Sequence, residues 1–161
     1  MATMTMKEAA ADFLAQKRIA VAGVSRSTGG EHGGNVVYQR LRDRGYEVFA
    51  VNPNADEVEG DPCYHDLASI PDGVDAVVVA THPDQAMAVV EECVTLGIRR
   101  VWMHRSFGTG SVNEAAAEAG RQQGLTVIAG GCPLMFAPTS DFGHSTMRWM
   151  LNLTGKIPKK V

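Results

Sequence analysis

The stretch that decides the fold is Arg18–Leu41, "RIAVAGVSRSTGGEHGGNVVYQRL". An apolar run leads into a Gly-rich loop, and the loop leads into a segment with helical periodicity. Four more apolar runs follow: "YEVFAV" (46–51), "DAVVVAT" (75–81), "RVWMH" (100–104) and "LTVIAGG" (125–131). All are continuous rather than alternating, as strands covered on both faces require. Helical patterns near 34–44, 84–96 and 112–123 separate them. Met87, Val90 and Val94 share a helix face that stops at Gly97, a C-cap residue. Ser111 and Glu114 have capping-box spacing, and Gly124 ends that helix. Strand–helix alternation at this spacing predicts an α/β fold, a doubly wound parallel sheet of about five strands in three α/β/α layers.

Outside this frame, Thr5 and Glu8 form another capping-box pattern, opening a leading helix over roughly 6–16. The link "NPNADEVEGDPCYHDLASIPDGV" (52–74) is rich in Pro and Gly and is expected to hold at most one helical turn, around 65–69. A last helix is expected at about 143–152 within the 141–161 tail, with Met147, Met150 and Leu151 as its apolar face. That face packs either on the chain's own core or on a second copy, making a homodimer. All of 1–161 reads as one domain.

Apolar content of 45% and charged content of 20% are those of an ordinary globular protein. Net charge is −3 without a long basic tract, so nucleic acid and lipid surfaces are not expected partners. No apolar run reaches membrane-spanning length, and the N-terminus lacks a secretory pattern. The three cysteines, Cys63, Cys93 and Cys132, contain no CxxC pair and read as reduced thiols, which points to the cytoplasm.

In an open parallel sheet, ligands lie beyond the carboxyl ends of the strands. After the first strand come Gly23, Ser25, Arg26, Gly29, Gly30, Gly33 and Gly34. Backbone N–H groups there, with a helix N-terminus near residue 34, make an anion site; Ser25 adds a hydroxyl and Arg26 a planar fork suited to phosphate. The dinucleotide fingerprint G-x-G-x-x-G is absent, because the chain reads G-V-S-R-S-T from Gly23, and no Walker A pattern is present. Nor does an acid end the second strand, where Val51-Asn52-Pro53-Asn54 stands instead. An acid there would bond the ribose hydroxyls of a nicotinamide nucleotide and repel a ribose bearing a 3′-phosphate. The loop is either a structural turn without ligand or a cradle for a phosphate-bearing nucleotide, with an NAD(H)-binding redox sensor disfavoured.

"IAVAGVSR", "VNPN", "GDPCYHDLASIP", "DAVVVATHP", "GIRRVWMH" and "AGGCPLMF" together resemble the small bacterial and archaeal CoA-binding proteins. Those are Rossmann-like domains similar to the CoA-binding domain of the succinyl-CoA synthetase alpha subunit. The resemblance covers roughly residues 12–137. It implies coenzyme A or an acyl-CoA as ligand, a small nucleotide held by the Gly23–Arg26 loop through its pyrophosphate. It also implies that Asn52, Pro53, Thr81, His82 and Pro83 flank the adenosine, with Gly33 at the helix head. Members are mostly binding domains without an assigned reaction. No Lys or Arg follows the second strand to meet the CoA 3′-phosphate, which leaves Arg26, Arg40 or solvent.

A second constellation lies at the same predicted edge. His82 and His104 end the third and fourth strands, Cys132 follows the fifth, and His144 with Asp141 comes shortly after. His, Cys and carboxylate serve zinc as well as acid–base and nucleophilic chemistry. Three readings stay open: separate structural or ligand-edge roles; a metal site from His82, His104, Cys132 and His144; or catalysis on a CoA thioester, with Cys132 as nucleophile and His104 or another histidine as base. "HRSFGTGS" and "DFGHSTMRW" depart from the simplest family pattern, in which Gln often stands near the end of the fourth strand. Arg105, beside His104, reads as an exposed arginine or a further anion contact. His32 reads as a loop residue or pyrophosphate donor, and His65 as a turn cap.

Overall fold

A computed structural model describes residues 3–27, 32–106, 108–136, 138–155 and 157–161. Gly29 and Gly30 of the Gly-rich loop therefore lie outside the described residues. The fold centres on β1 (Arg18–Ala22), paired in parallel with β2 (Glu47–Val51) on one side and β5 (Ala76–Val79) on the other. From β5 the sheet continues in parallel through β6 (Arg100–Met103) and β7 (Thr126–Ala129). Ile19, Ala20 and Val21 are fully buried because side chains on both sheet faces meet helices.

The 52–74 link holds more order than expected. β3 (Glu57–Val58) pairs antiparallel with β4 (Asp61–Tyr64), and β4 adds in parallel to β2, giving a seven-stranded sheet in the order β3-β4-β2-β1-β5-β6-β7. The hairpin turns on Glu59 and Gly60, both at positive φ (53° and 80°), which a two-residue primed turn requires. Where a helical turn was expected around 65–69, one hydrogen-bonded turn closes from the Ile70 N–H to the Leu67 carbonyl.

The helices are α1 (Met6–Leu14), α2 (Gly33–Asp43), α3 (Pro83–Leu96), α4 (Glu114–Gln122) and α5 (Phe142–Leu153). α1, α2 and α5 cover one sheet face around Ile19, Val21, Trp102 and Ile128, whereas α3 and α4 cover the other around Ala20, Val77, Val101 and Met103. The Thr5–Glu8 capping box forms at the head of α1, and Gly97 closes α3 in the left-handed conformation. The expected Ser111–Glu114 box does not form. Asn113 caps α4 by accepting the Ala116 N–H, while Ser111 is buried and donates its backbone N–H to the His104 carbonyl.

On α5, Leu151 is buried and Met147 packs on the core, but Met150 is half exposed. Phe142, Trp149 and Leu153 face outward on the opposite side. No helix among the described residues is long and apolar enough to cross a membrane. The chain leaves β1 for β2 and the hairpin, then returns to β5 on β1's other flank. The β1–β5 seam is thus the switch point where such sheets open a crevice at their carboxyl edge.

Candidate functional site

Gly23 sets the geometry of the seam. Its φ is +99°, and a Cβ there would lie 2.6 Å from the carbonyl carbon and oxygen of Ala80 and 2.7 Å from the Thr81 nitrogen. Only a residue without a side chain lets the segments after β1 and β5 touch. Two more glycines wedge the head of α2 between neighbours. A Cβ on Gly34 would stand 3.0 Å from Ala80 Cβ, and one on Gly33 would stand 2.8 Å from His104 Cε1.

Two open pockets flank this wedge and share Ala80, Thr81 and His82. The first, of about 510 Å³, lies over the ends of β2, β1 and β5 against α3. Gly23, Ser25, Asn52, Pro53, Thr81 and His82 all line it, so six of the expected nucleotide-site residues converge. Gly33 lines the second pocket instead, Arg26 is exposed and lines neither, and Pro83 lends its carbonyl to the Asn113 amide at 3.0 Å. Among the described residues, no Lys or Arg lines the first pocket. Its carboxylates are engaged locally: Asp66 accepts the backbone N–H and hydroxyl of Ser69, and Glu92 accepts the Ala68 N–H. Arg40 acts elsewhere, helping to hold the Asp141 carboxyl below its ordinary range. His65 reaches Asp56 at 2.8 Å.

Asn52 explains why no acid ends β2. Its amide donates to the Val24 carbonyl at 2.8 Å while its Oδ1 accepts the Asn54 N–H at 2.8 Å, and a carboxylate could not make the first bond. Ser25 gives its backbone N–H to Asn35 Oδ1 at 2.8 Å, and its hydroxyl, the group expected to meet a phosphate, accepts the Ser27 N–H at 3.1 Å. Asn35, which the sequence did not single out, is 1% exposed and also donates to the Ser25 carbonyl (2.9 Å) and to Glu59 (2.8 Å). The available signal was an amide on the core side of a first helical turn, where apolar residues belong.

The second pocket, of about 520 Å³, lies over β5, β6 and β7 and brings together His82, His104, Ser106, Ser111, Cys132 and His144. The two constellations expected at one edge therefore form one groove. Burial first, and then the neighbouring charge of His144, push the His104 ring down to about 4, so it is neutral at pH 7. Neither of its ring nitrogens has a hydrogen-bond partner among the described residues. His144 Nδ1 sits 2.9 Å from both oxygens of Asp141, whose carboxyl is held low mainly by the His144 N–H. Cys132 is 1% exposed, and burial pushes its thiol up to about 12. Cys132 thus lines the pocket as a protonated thiol, and a thiol needs to lose its proton before it acts as a nucleophile. Among the described residues, no three His, Cys, Asp or Glu side chains stand close enough to hold a metal ion, so His82, His104, Cys132 and His144 line a pocket without forming a ligand cage.

A Gly-wedged crevice thus lies at the switch point, open on both sides of a helix head, where open parallel sheets take their ligands. The chain belongs to the CoA binding domain family, whose model matches residues 17–138. It is 33% identical over 116 residues to the protein YneT of Bacillus subtilis, covering 72% of this chain and 82% of that protein. It is also 36% identical over 90 residues to acetate–CoA ligase [ADP-forming] II of Archaeoglobus fulgidus, covering 55% of this chain but only 13% of the ligase. A solved structure of a hypothetical protein from Pyrococcus horikoshii superposes with a TM-score of 0.72 at 30% identity, covering 80% of this chain and 87% of that one.

Proposed function

We propose that the groove binds coenzyme A or an acyl-CoA, with adenosine in the first pocket, pyrophosphate at the Gly23 loop and the head of α2, and pantetheine in the second pocket. The carrying observation is that the two pockets join at Ala80, Thr81 and His82, directly beside the helix head. Backbone N–H groups at Gly33 and Gly34 supply the anion site, with the Ser25 hydroxyl at its rim. Asn52, Pro53 and Thr81 wall the nucleoside, and His82 marks the passage between pockets. The 3′-phosphate points to solvent, since no Lys or Arg among the described residues lines the first pocket.

Calorimetry with CoA, dephospho-CoA and NADH tests this reading. CoA is expected to bind, NADH is not, and removing the 3′-phosphate should change affinity by less than about threefold, the size of one screened surface interaction. Binding of NADH without CoA would overturn the assignment. The three unpaired, buried cysteines support a reducing, cytoplasmic setting.

We also assign the outer face of α5 to a second copy of the chain. Phe142, Trp149 and Leu153 are 89%, 64% and 71% exposed along one stripe, with Met150 beside it. Side chains of this size offer on the order of 500 Å² per copy, approaching the lower end of specific interfaces when doubled. The helix carries no acid or lysine to repel its twin, and its one arginine, Arg148, stacks on Phe136.

A further inference from the structure

Asp141 and His144 lie past residue 138, where the family match ends, so this wall of the second pocket comes from a segment the shared domain does not include. Asp141 caps α5 through the His144 N–H at 2.8 Å and takes both its oxygens to the ring Nδ1 at 2.9 Å. A carboxylate can only accept, so Nδ1 carries a hydrogen and Nε2 is the ring nitrogen turned away from Asp141, the basic one whenever the ring is neutral. That arrangement is an oriented base on a ligand pocket. His82 also lines the pocket with its Nδ1 3.2 Å from Asp84, but its side chain is 72% exposed at the rim shared with the first pocket. His104, from the end of β6, is neutral and little disposed to take a proton; Cys132, from the end of β7, is a buried thiol. The His144 N–H first, and Arg40 on α2 least, hold the Asp141 carboxyl low, and Arg44 just beyond α2 stands 3.8 Å from it.

We propose that the second pocket receives the thiol end of coenzyme A and that the Asp141–His144 pair takes its proton, holding the ligand as a thiolate ready to accept an acyl group. This rests on the CoA reading above. In the step, the S–H bond breaks and its electron pair stays on sulfur. The proton moves to His144 Nε2, and the resulting imidazolium is paired with the Asp141 carboxylate. His104 sits across the pocket as a neutral polar group that can donate to sulfur without competing for the proton.

The test alkylates CoA with iodoacetamide at pH 7, with and without saturating protein, and reads the CoA adduct by mass so that protein thiols do not contribute. Calorimetry with CoA and with desulfo-CoA runs alongside. Bound CoA is expected to alkylate about tenfold faster than free CoA, the advantage falling as pH rises through the free thiol's own titration. His144→Gln should abolish the acceleration and Asp141→Asn should weaken it, each measured at a protein concentration that calorimetry shows to saturate CoA for that variant. Equal rates for bound and free CoA, slower alkylation on binding, or an acceleration that survives His144→Gln would overturn the proposal while leaving CoA binding intact. No calorimetric binding at all would overturn both readings.

Discussion

Burial keeps the His104 ring neutral, and neutrality has a cost in acid. Its folded-state value, about 4, is below the ordinary 6.5, so the unfolded chain binds a proton that the folded chain refuses between those limits. The stabilisation is fully present above pH 6.5 and is lost as pH falls toward 4, by up to about 3 kcal/mol for a shift of this size. His104→Gln should flatten the fall in urea-derived stability between pH 6.5 and 4 relative to wild type. An unchanged slope would mean that the ring takes up its proton alike in the folded and unfolded chains. His104 was legible as a strand-end residue, but its neutrality was not. That depends on Gly33 pressing the α2 head against the ring, a contact between residues 71 positions apart.

Among the elements, α2 and the β3–β4 hairpin act as one support for the loop after β1. Asn35 clasps the Ser25 backbone and hands the second hydrogen of its amide to Glu59, whose other oxygen takes the Gln39 amide at 2.7 Å. Asn35→Ala leaves a buried N–H, a carbonyl and a carboxylate short of partners, and should cost about 1–3 kcal/mol in thermal or urea unfolding. The same variant should lower CoA affinity about tenfold by loosening the loop; Glu59→Gln, which keeps an acceptor oxygen, should do less. Calorimetry on the two variants separates support from mere stability. The five central strands and all five helices were legible because continuous apolar runs and caps are local signals. The hairpin was not: its strands are two and four residues long, and the Glu59–Gly60 turn lacks the usual Asn-Gly or Asp-Gly signature. Asn113 outcompeted Ser111 as a cap because Ser111 is drawn inward, its N–H on the His104 carbonyl.

For the molecule as a whole, the groove and the outer face of α5 lie on opposite sides of the same helix. His144 and Leu151 look inward, while Phe142, Trp149 and Leu153 look out. A second copy seated on that face would leave the groove accessible while bracing the helix that carries Asp141 and His144. Sedimentation velocity should find a dimer at micromolar concentration, and Trp149→Glu should convert it to monomer without changing the fold by circular dichroism. A wild-type monomer at all accessible concentrations would reject the contact. Sequence indicated the helix and left its apolar face open between core and partner. The structure divides that face, because a helix laid on the outside of the sheet layer packs one side on the core and leaves the other uncovered.

Asn52 constrains how this scaffold could be retargeted. Installing an acid at the end of β2 is the obvious route toward a nicotinamide nucleotide. Here the same substitution removes the amide that ties β2 to the Val24 carbonyl and sets two oxygens against each other beneath the loop. A redesign would first have to brace the loop by other means, so a change of ligand cannot be reached by one substitution alone. The order of mutations, more than their number, would govern whether such a switch can be made.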